Sequence, residues 1–294
     1  MRNILFYKYV RISNLELLRQ QQFSLCSELQ LQGKIILACE GINGCLSGSD
    51  ECIQEYMSFM HAQKEFVDVQ FKVMQIIKNN FQKLQVRIRK EIVSSFPVKI
   101  EHRAPYVDPK MVKHWIEQDE VVLMDMRNVY EFRLGHFRDA VHLPIESFRE
   151  LPKVIENVPL QKDQKIVTYC TGGIRCEKAS ALLREHGFTN VFQLHGGILQ
   201  YGNEVGNEHW VGKCFMFDDR GAVDIDPATH AMPITNCVWC RLPSSEYHNC
   251  SRVECDARYI SCASCIPKLD GCCSKKCRNI VHKKLALNSV SSCV

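Results

Sequence analysis

The sequence predicts an α/β protein in three parts: an α+β domain, a second domain with a parallel sheet, and a small cysteine-rich tail. Strand and helix patterns follow the order β-α-β-β-α-β over the first part, and strands alternate with helices over the second. Nine of the 17 cysteines lie between Cys237 and Cys277, in the third part. We place the boundaries at 1–98, 108–212 and 213–294.

Composition excludes some classes of protein without selecting one. The 294 residues are 46% hydrophobic and 24% charged, and the net charge of +4 gives no general argument for nucleic-acid binding. The first segment, MRNILFYKYVRISN, lacks the features of a secretory signal, and no uncharged apolar stretch reaches the ~18 residues of a membrane span. We therefore expect a cytoplasmic protein without membrane contact, whose thiols stay reduced.

The first part has the element order of a ferredoxin-like domain. The strand ILFYKYV precedes a helix that Asn14 caps and Gly33 ends, and KIILACE forms a second strand. The glycines of GING predict a turn before the short segment CLSG. The remaining elements are a helix from Asp50 to about Lys64 and the strands VQFKVMQII and LQVRIRKEIV. This order predicts a ferredoxin-like α+β domain, a fold that does not by itself determine function.

A basic stretch runs from Lys72 to Arg103, with eight Lys or Arg against two Glu. Within it, Lys83, Arg87 and Arg89 are candidates for contact with RNA phosphates. Arg87 and Arg89 alternate with apolar residues, so both arginines share one face of a strand. A solvated strand face would produce the same pattern, and the sequence leaves both interpretations open.

The second part begins after a connector, 94–109, that contains three prolines. Its elements are a helix over 109–118, the strand EVVLMDM, a helix opened by PIESFREL, the strand QKIVTYC, the helix RCEKASALLREHG and the strand NVFQLHGG. This alternation predicts a parallel sheet covered by helices on both faces. Ligands of such sheets bind at the carboxyl ends of the strands, which is where Cys170 lies.

The loop after this strand surrounds Cys170 with residue types that stabilise an anion. It comprises Thr171, Gly172, Gly173 and Ile174. The glycines allow a tight turn with convergent N–H groups, the next helix adds its positive end, and Arg175 adds a cation at the rim. These features lower a thiol pKa, so we predict Cys170 to be the reacting thiol. A Cys170–Cys176 dithiol at C-x₅-C spacing and a merely structural cysteine are the alternatives.

Two segments of the second part resemble the rhodanese family. LMDMRNVYEFRLGHFRDAVHLP is similar to its D-x-R…G-H signature, and YCTGGIRC is similar to its active-site loop. The resemblance implies a rhodanese-like domain in which Cys170 carries a persulfide and residues 171–175 cradle the anion. Asp125 and Arg127 match the pair at the end of the preceding strand, where we expect them to support loop backbone rather than touch substrate.

Nearly the whole chain is similar to the bacterial tRNA uridine hydroxylase family. EGING in the first part, CTGGIRCEKASA in the second and GKCFMFDDRGAV after it carry this resemblance. It implies an enzyme that acts on tRNA, not DNA, and adds oxygen at C5 of the wobble uridine with molecular oxygen as co-substrate. The chain departs from the family pattern at Cys45 and Cys214, where we expect a small hydroxyl residue and an acidic residue.

The implied hydroxylation raises the question of how oxygen is activated. The first two parts show no 2-His-1-carboxylate spacing and no dinucleotide fingerprint, so no nucleotide cofactor is evident. Addition of Cys170 to C6 of uridine would make C5 nucleophilic. A persulfide-forming sulfurtransferase with a protein or RNA acceptor is the alternative function. A phosphatase fits poorly, because four rather than five residues separate Cys170 from Arg175.

The tail cysteines form four short-spaced pairs: Cys237/Cys240, Cys250/Cys255, Cys262/Cys265 and Cys273/Cys277. Thiolates at this spacing wrap tetrahedral zinc, so the pairs predict about two structural zinc ions, with the first and third pairs on one ion as one arrangement. Cys272 could replace Cys273, and His248 could substitute as a ligand. Iron–sulfur ligation and free thiols are the alternatives. Closed sites of this kind predict a structural or RNA-facing tail.

Overall fold

The computed structural model describes residues 1–291 of the protein, with side chains described as far as Lys283. The first domain contains β1 Arg2–Tyr9, α1 Leu15–Glu28, β2 Gln32–Ala38, β3 Gly41–Gly48, α2 Asp50–Ala62, β4 Gln70–Gln75 and β5 Leu84–Ile88. Its sheet has the order β4-β1-β3-β2-β5, antiparallel except for the edge strand β5, which runs parallel to β2. The predicted ferredoxin-like order is confirmed, with one strand added.

Local sequence signals explain most bounds in this domain, and two predictions were wrong. The Asn14 side chain accepts a hydrogen bond from the Leu17 N–H and starts α1, as predicted. The helix ends at Glu28 rather than at Gly33, which lies within β2. The segment GING is not a turn but the first half of β3, because its backbone pairs with β1 and β2 on both sides. Pairing on both flanks outweighs the turn preference of glycine.

The two faces of this sheet have different surroundings. Ile4 and Phe6 of β1 are fully buried against α2, where Tyr56 and Met60 complete the core. Successive strand residues point to opposite faces, so Leu5 and its neighbours lie on the face without helices. This second face packs against the next domain and forms one wall of the site described below.

The second domain has the predicted parallel sheet with helices around it. Its elements are β6 Tyr106–Val107, α3 Pro109–Glu117, β7 Val122–Asp125, α4 Val129–Leu134, β8 Gly135–Phe137, β9 Val141–His142, α5 Leu151–Val154, β10 Ile166–Tyr169, α6 Ile174–Glu185, β11 Val191–Leu194 and α7 Gly197–Glu204. The sheet order is β6-β11-β10-β7-β9, and all its pairings are parallel. All four residues of the central β10 are buried, as expected for a strand covered on both faces. PIESFREL forms only short turns of helix around 148–154.

The third part begins by returning to the second domain. Its elements are β12 Trp210–Gly212, β13 Cys214–Phe215, β14 Ala222–Val223, β15 Tyr247–Asn249, β16 Arg258–Ile260 and α8 Lys275–Ser291. β12 pairs with β8, so the segment after β13 is held close to the end of β10. β15 and β16 form a hairpin within the cysteine-rich region. None of the helices in residues 1–291 has the length and apolar character needed to cross a membrane.

Candidate active site and metal centres

Cys170 lies where β10 ends and the loop to α6 begins, and only 1% of its surface is exposed. The loop turns at Gly173, whose φ of 99° is in the left-handed region that favours glycine. This turn points the Gly173 N–H at the Cys170 sulfur, at 3.1 Å. The strand end and the glycines therefore hold the sulfur in a concavity of backbone N–H groups.

The surroundings of Cys170 favour the thiolate although the group is buried. Burial by itself raises the pKa of the Cys170 thiol. A hydrogen bond from the Cys176 thiol, the charge of Arg175, and the N–H groups of Arg175 and Gly173 outweigh burial and lower the pKa of Cys170 to about 6. Burial and the bond to Cys170 raise the pKa of Cys176 well above its ordinary value. Cys176 is thus a protonated donor in the core of the domain.

Arg175 is buried rather than at the rim, which corrects the sequence prediction. Its guanidinium forms two hydrogen bonds with the carboxylate of Glu131 in α4, Nη1–Oε2 at 2.6 Å and Nη2–Oε1 at 2.8 Å. Glu131 is completely buried, and Arg175 is 6% exposed. A weaker bond of 3.4 Å joins Nη2 to the Thr171 hydroxyl. The sequence analysis did not single out Glu131, although it lies in the segment that resembles the rhodanese signature; in the structure its carboxylate also accepts the Asn128 N–H.

Asp125 and Arg127 form a second buried ion pair below the loop. Arg127 Nη2 lies 2.6 Å from Asp125 Oδ2, and neither side chain is exposed. Asp125 also accepts the Arg127 N–H at 2.9 Å, and the Arg127 guanidinium donates to the Gly135 carbonyl at 2.6 Å. The pair therefore fixes the backbone at the end of β7. The sequence analysis predicted the pair at this strand end. Its function as loop support stays a prediction.

The first domain touches the loop after Cys170 directly. A Cβ atom on Gly172 would lie 2.6 Å from Leu5 Cδ2, so β1 packs closely against the loop at this glycine. The Tyr7 hydroxyl donates to Glu177 of α6 at 3.0 Å, and burial followed by the charge of Glu177 raises the pKa of Tyr7 well above its ordinary value. Lys178 of the same helix forms an ion pair with Glu40 at 2.9 Å. These contacts join the two domains at the site.

The EGING motif contributes two of these linking residues. Glu40 holds Lys178 with one carboxylate oxygen and accepts the Ile92 N–H with the other at 2.9 Å. The Asn43 amide donates to the Ile92 carbonyl, also at 2.9 Å. Both residues thus hold the backbone at Ile92, just before the connector, and Glu40 also ties it to Lys178 of α6. Because Glu40 and Asn43 are far from Cys170 in the sequence, their contacts near the loop could not be predicted from neighbouring residues. The EGING motif was the only signal for them.

A pocket of about 380 Å³ opens at Cys170. The second domain provides its floor, and the uncovered face of the first-domain sheet provides one wall. The remaining wall comes from the connector and from the segment after β13. The lining includes Leu5, Tyr7, Lys34, Ile36, Asn43, Cys45, Phe81, Ile92, Asn128, Phe148, Cys170, Arg175, Met216, Phe217 and Asp218. It is a largely apolar pocket with a few polar groups, as is typical of small-molecule and nucleobase sites.

The basic stretch divides into one buried residue and a set of exposed ones. Lys72 is 7% exposed, and its Nζ lies 4.7 Å from the Tyr7 ring centre. Burial lowers the pKa of Lys72 to about 8, although the negative charge of Cys170 acts to raise it. Lys72 is therefore a buried residue next to Tyr7, which lines the pocket, and does not belong to the exposed basic surface. The three predicted phosphate contacts, Lys83, Arg87 and Arg89, are exposed.

A path of positive charge links the surface to the pocket. Lys34 lines the pocket on β2 and pairs with Gln85 of β5; Arg87 lies two residues further along that strand, and Arg89 follows directly after its end. Partial burial, followed by the charges of Arg87 and Arg89, lowers the pKa of Lys34. Sequence reasoning did not select Lys34, because the strand pairing that brings it to β5 is non-local.

The eight predicted cysteine ligands gather in two groups of four. Cys237, Cys240, Cys262 and Cys265 form one group, and Cys250, Cys255, Cys273 and Cys277 form the other. The sulfur atoms within each group lie within 4.8 Å of one another. The first and third pairs therefore share a site, and the second and fourth pairs share another. Four thiolates at this spacing fit tetrahedral zinc with no open coordination position.

The two substitute ligands lie outside these groups. The sulfur of the fully buried Cys272 contacts the Asp270 carbonyl at 3.8 Å. His248 has its Nε2 3.0 Å from the Ser261 carbonyl. Cys45 and Cys214, where the chain departs from the family pattern, are both in or near the site, and burial raises their pKa values to about 12 and about 11.

Comparisons with known proteins agree with this three-part organisation. Residues 1–92 match the UPF0176 acylphosphatase like domain, 108–204 the rhodanese-like domain, and 211–278 the rhodanase C-terminal family. A solved rhodanese-like domain from Anabaena is 26% identical, covers 37% of this chain and 79% of its own, and has a TM-score of 0.32. By the three family models, the chain is a rhodanese-domain protein with an added domain on each side.

Similarity over the full length defines the family more narrowly. The tRNA uridine(34) hydroxylase of Cytophaga hutchinsonii is 39% identical over 281 residues, which cover 94% of this chain and 89% of the relative. The protein of the same name from Staphylococcus aureus strain COL is 42% identical over 93% of this chain and 88% of the relative. The chain belongs to the tRNA uridine(34) hydroxylase family. The resemblance found in the sequence is confirmed.

Proposed function

We propose that the protein hydroxylates C5 of the wobble uridine in tRNA in an oxygen-dependent reaction, with Cys170 as the reacting thiol. The observation that carries the proposal is a thiol with a pKa lowered to about 6 at the base of a pocket of about 380 Å³. The relatives named tRNA uridine(34) hydroxylase, at about 40% identity over most of the chain, indicate the substrate class.

The pocket supports a nucleobase better than a small inorganic anion. Its lining combines apolar side chains such as Leu5 and Ile36 with the amide of Asn43, which suits a flat heterocycle with polar edges. The path from Lys34 to Arg87 and Arg89 gives the phosphates of an RNA strand a basic surface next to the pocket. A wobble base is already single-stranded in the anticodon loop, so placing it in the pocket costs little.

Covalent catalysis explains how a thiol could serve hydroxylation. The Cys170 thiolate adds to C6, forming an S–C6 bond and shifting an electron pair to C5. Oxygen adds at C5, and two equivalents of a thiol reductant convert the resulting C5–O–O group to C5–OH and water while they become a disulfide. Loss of the C5 proton then expels the thiolate from C6. The sum is uridine, oxygen and two thiols giving 5-hydroxyuridine, water and a disulfide.

In this scheme, residues of the chain hold the thiolate and shield the intermediate. The Gly173 N–H and the Cys176 thiol donate to the Cys170 sulfur before addition. Arg175, positioned by Glu131, stabilises the anion that returns when the S–C6 bond breaks. Each of these groups is buried, so water is excluded from the sulfur.

Sulfur transfer is the second candidate function, favoured by the anion-binding turn at Gly173. A sulfurtransferase would carry a persulfide on Cys170 and would need no oxygen. A small sulfur donor does not require a pocket of about 380 Å³ or the positive charges of Lys34, Arg87 and Arg89 beside it, so we rank this function second.

The test is hydroxylation of a tRNA that contains a wobble uridine by the purified protein, with a dithiol reductant and oxygen, followed by mass analysis of nucleosides. We expect 5-hydroxyuridine from the wild type and none from Cys170→Ser, whereas Cys39→Ser, a change at an exposed thiol, retains activity. Product formed at the wild-type rate by Cys170→Ser would refute the thiol mechanism. Absence of product with release of thiocyanate from thiosulfate and cyanide would favour sulfur transfer.

A further inference from the structure

A second cavity, of about 450 Å³, adjoins the catalytic pocket. The two share a wall formed by Phe81, Met216, Phe217 and Asp218. The far side of the second cavity comes from Tyr130 of α4 and from the β15–β16 hairpin of the tail. We call this second cavity the aromatic cleft, since five of its lining residues carry aromatic rings.

The rings of the aromatic cleft support one another and remain accessible. Tyr130 and Tyr247 lie with ring centres 5.6 Å apart at an interplanar angle of 34°, and Phe215 contacts both edge-on. The guanidinium carbon of Arg258 lies 4.3 Å from the Tyr130 ring centre. Phe217 is 63% exposed, which leaves its ring open to a ligand.

Polar groups at the cleft match the edges and phosphates of a nucleotide. Asn249 and Arg258 are both exposed, and they lie opposite each other in the hairpin. Among the described side chains, none forms a hydrogen bond with the Asn249 amide. Asp218, the acid in the shared wall, is neutralised by Arg220, which donates from Nε at 2.9 Å. A second acid, Asp219, also lines the cleft. Arg258 has no ion-pair partner among the described residues, so it can attract a phosphate or stack on a base.

We propose that the aromatic cleft binds an unpaired RNA base next to the nucleotide whose base enters the catalytic pocket. This inference rests on the proposed function, because it assumes a single-stranded RNA substrate. Bases splayed from a loop are bound by stacking on aromatic rings and arginine planes, which are the groups gathered here. Phe217 joins the two cavities, since its ring lines both and lies 5.8 Å from the Arg175 guanidinium carbon.

The cleft also gives the cysteine-rich tail a defined function. Cys250 directly follows Asn249, and Cys255 precedes Arg258 by three positions, so the second cysteine group closes the hairpin that carries both polar residues. A metal at that group would fix their position relative to Tyr130. The tail then contributes to RNA binding through the hairpin rather than through the thiolates.

The test measures binding of fluorescent anticodon stem-loops to the full-length protein, independently of hydroxylation. The stem-loops are intact or carry an abasic residue on the 5′ or the 3′ side of the wobble uridine. We expect one of the two abasic sites to weaken binding about tenfold, the effect of losing a base stacked on an aromatic ring. Phe217→Ala should weaken binding of the intact stem-loop similarly and abolish the difference between intact and abasic RNA.

Two further variants keep the outcome clear. Arg258→Ala should also weaken binding, whereas Phe23→Ala, which removes an exposed ring from α1, should not. The inference is overturned if Phe217→Ala and Arg258→Ala both bind the intact stem-loop as the wild type does. It is also overturned if the abasic residue weakens binding to Phe217→Ala as much as it weakens binding to the wild type. Absence of hydroxylation by the wild type, with the expected effects of the abasic sites and of Phe217→Ala on stem-loop binding, would contradict the proposed function and leave the cleft assignment standing. Undetectable stem-loop binding by the wild type would overturn both.

Discussion

Arg175 and Glu131 form a bidentate ion pair beside the Cys170 loop, with N–O distances of 2.6 and 2.8 Å. The pair joins the helix that begins at the loop, α6, to the helix that follows the Asp125–Arg127 pair, α4. Both terminal nitrogens of the guanidinium donate to Glu131, and Arg175 acts on Cys170 through its side-chain charge and through its backbone N–H. The arginine is thus a positioned cation rather than an open fork for the substrate.

Replacement of Arg175 should make Cys170 less reactive. In the wild type, the rate of Cys170 alkylation by iodoacetamide should rise with pH around a midpoint of about 6. Arg175→Ala removes a positive charge and leaves Glu131 unpaired, so the thiol pKa and the midpoint should move upward and the rate at neutral pH should fall. Mass mapping of the alkylated peptide measures this, with the exposed Cys39 as internal control. An unchanged midpoint would remove Arg175 from thiolate stabilisation.

Replacement of Glu131 should destabilise the protein, not only the site. Glu131→Ala leaves the Arg175 guanidinium buried without its partner, which costs about 3–5 kcal/mol in the free energy of unfolding. Urea denaturation followed by tryptophan fluorescence measures the change. Glu16→Ala, which removes an exposed ion pair with Arg19, is the matched control and should have little effect. Equal stability of the two variants would contradict the assigned importance of the buried pair.

The tail should bind about two zinc ions, one at each of the two groups of four cysteines. Cys240→Ser should reduce the zinc content by about one ion, because it removes a ligand from a closed four-thiolate site. Cys272→Ser provides the matched control, since Cys272 is buried in the same region but lies outside both groups. Elemental analysis after reducing purification measures both. Iron in place of zinc, or equal losses in the two variants, would contradict the assignment.

Charge reversal along the basic path should weaken tRNA binding. The double variant Lys34→Glu with Arg87→Glu should bind all tRNAs less tightly, and the dependence of log affinity on log salt should become shallower by about one unit for each phosphate that is no longer bound. Binding titrations at several salt concentrations measure this. Arg19→Glu, on the helical side of the sheet, is the control. Salt-insensitive binding by the wild type would assign this face to solvent.

Local signals in the sequence were sufficient to predict most helices and strands and many of the candidate site residues. The cap at Asn14, the buried strand ending in Cys170 and the glycines after it depend on neighbouring residues only. The eight tail ligands could be selected for the same reason, because short spacing places thiolates within reach of one ion. GING was misinterpreted as a turn because the strands that pair with it come from elsewhere in the chain.

The sequence by itself determined the order of three parts, the reacting thiol as a candidate and the family. Only the tertiary structure decided that Arg175 is buried on Glu131, that Lys72 is buried beside Tyr7, and that the first domain and the tail both reach the pocket at Cys170. Each of these results depends on contacts between residues far apart in the chain. Hydrophobic burial brings such residues together without leaving a local pattern, since it depends on the area removed from water and not on spacing along the sequence.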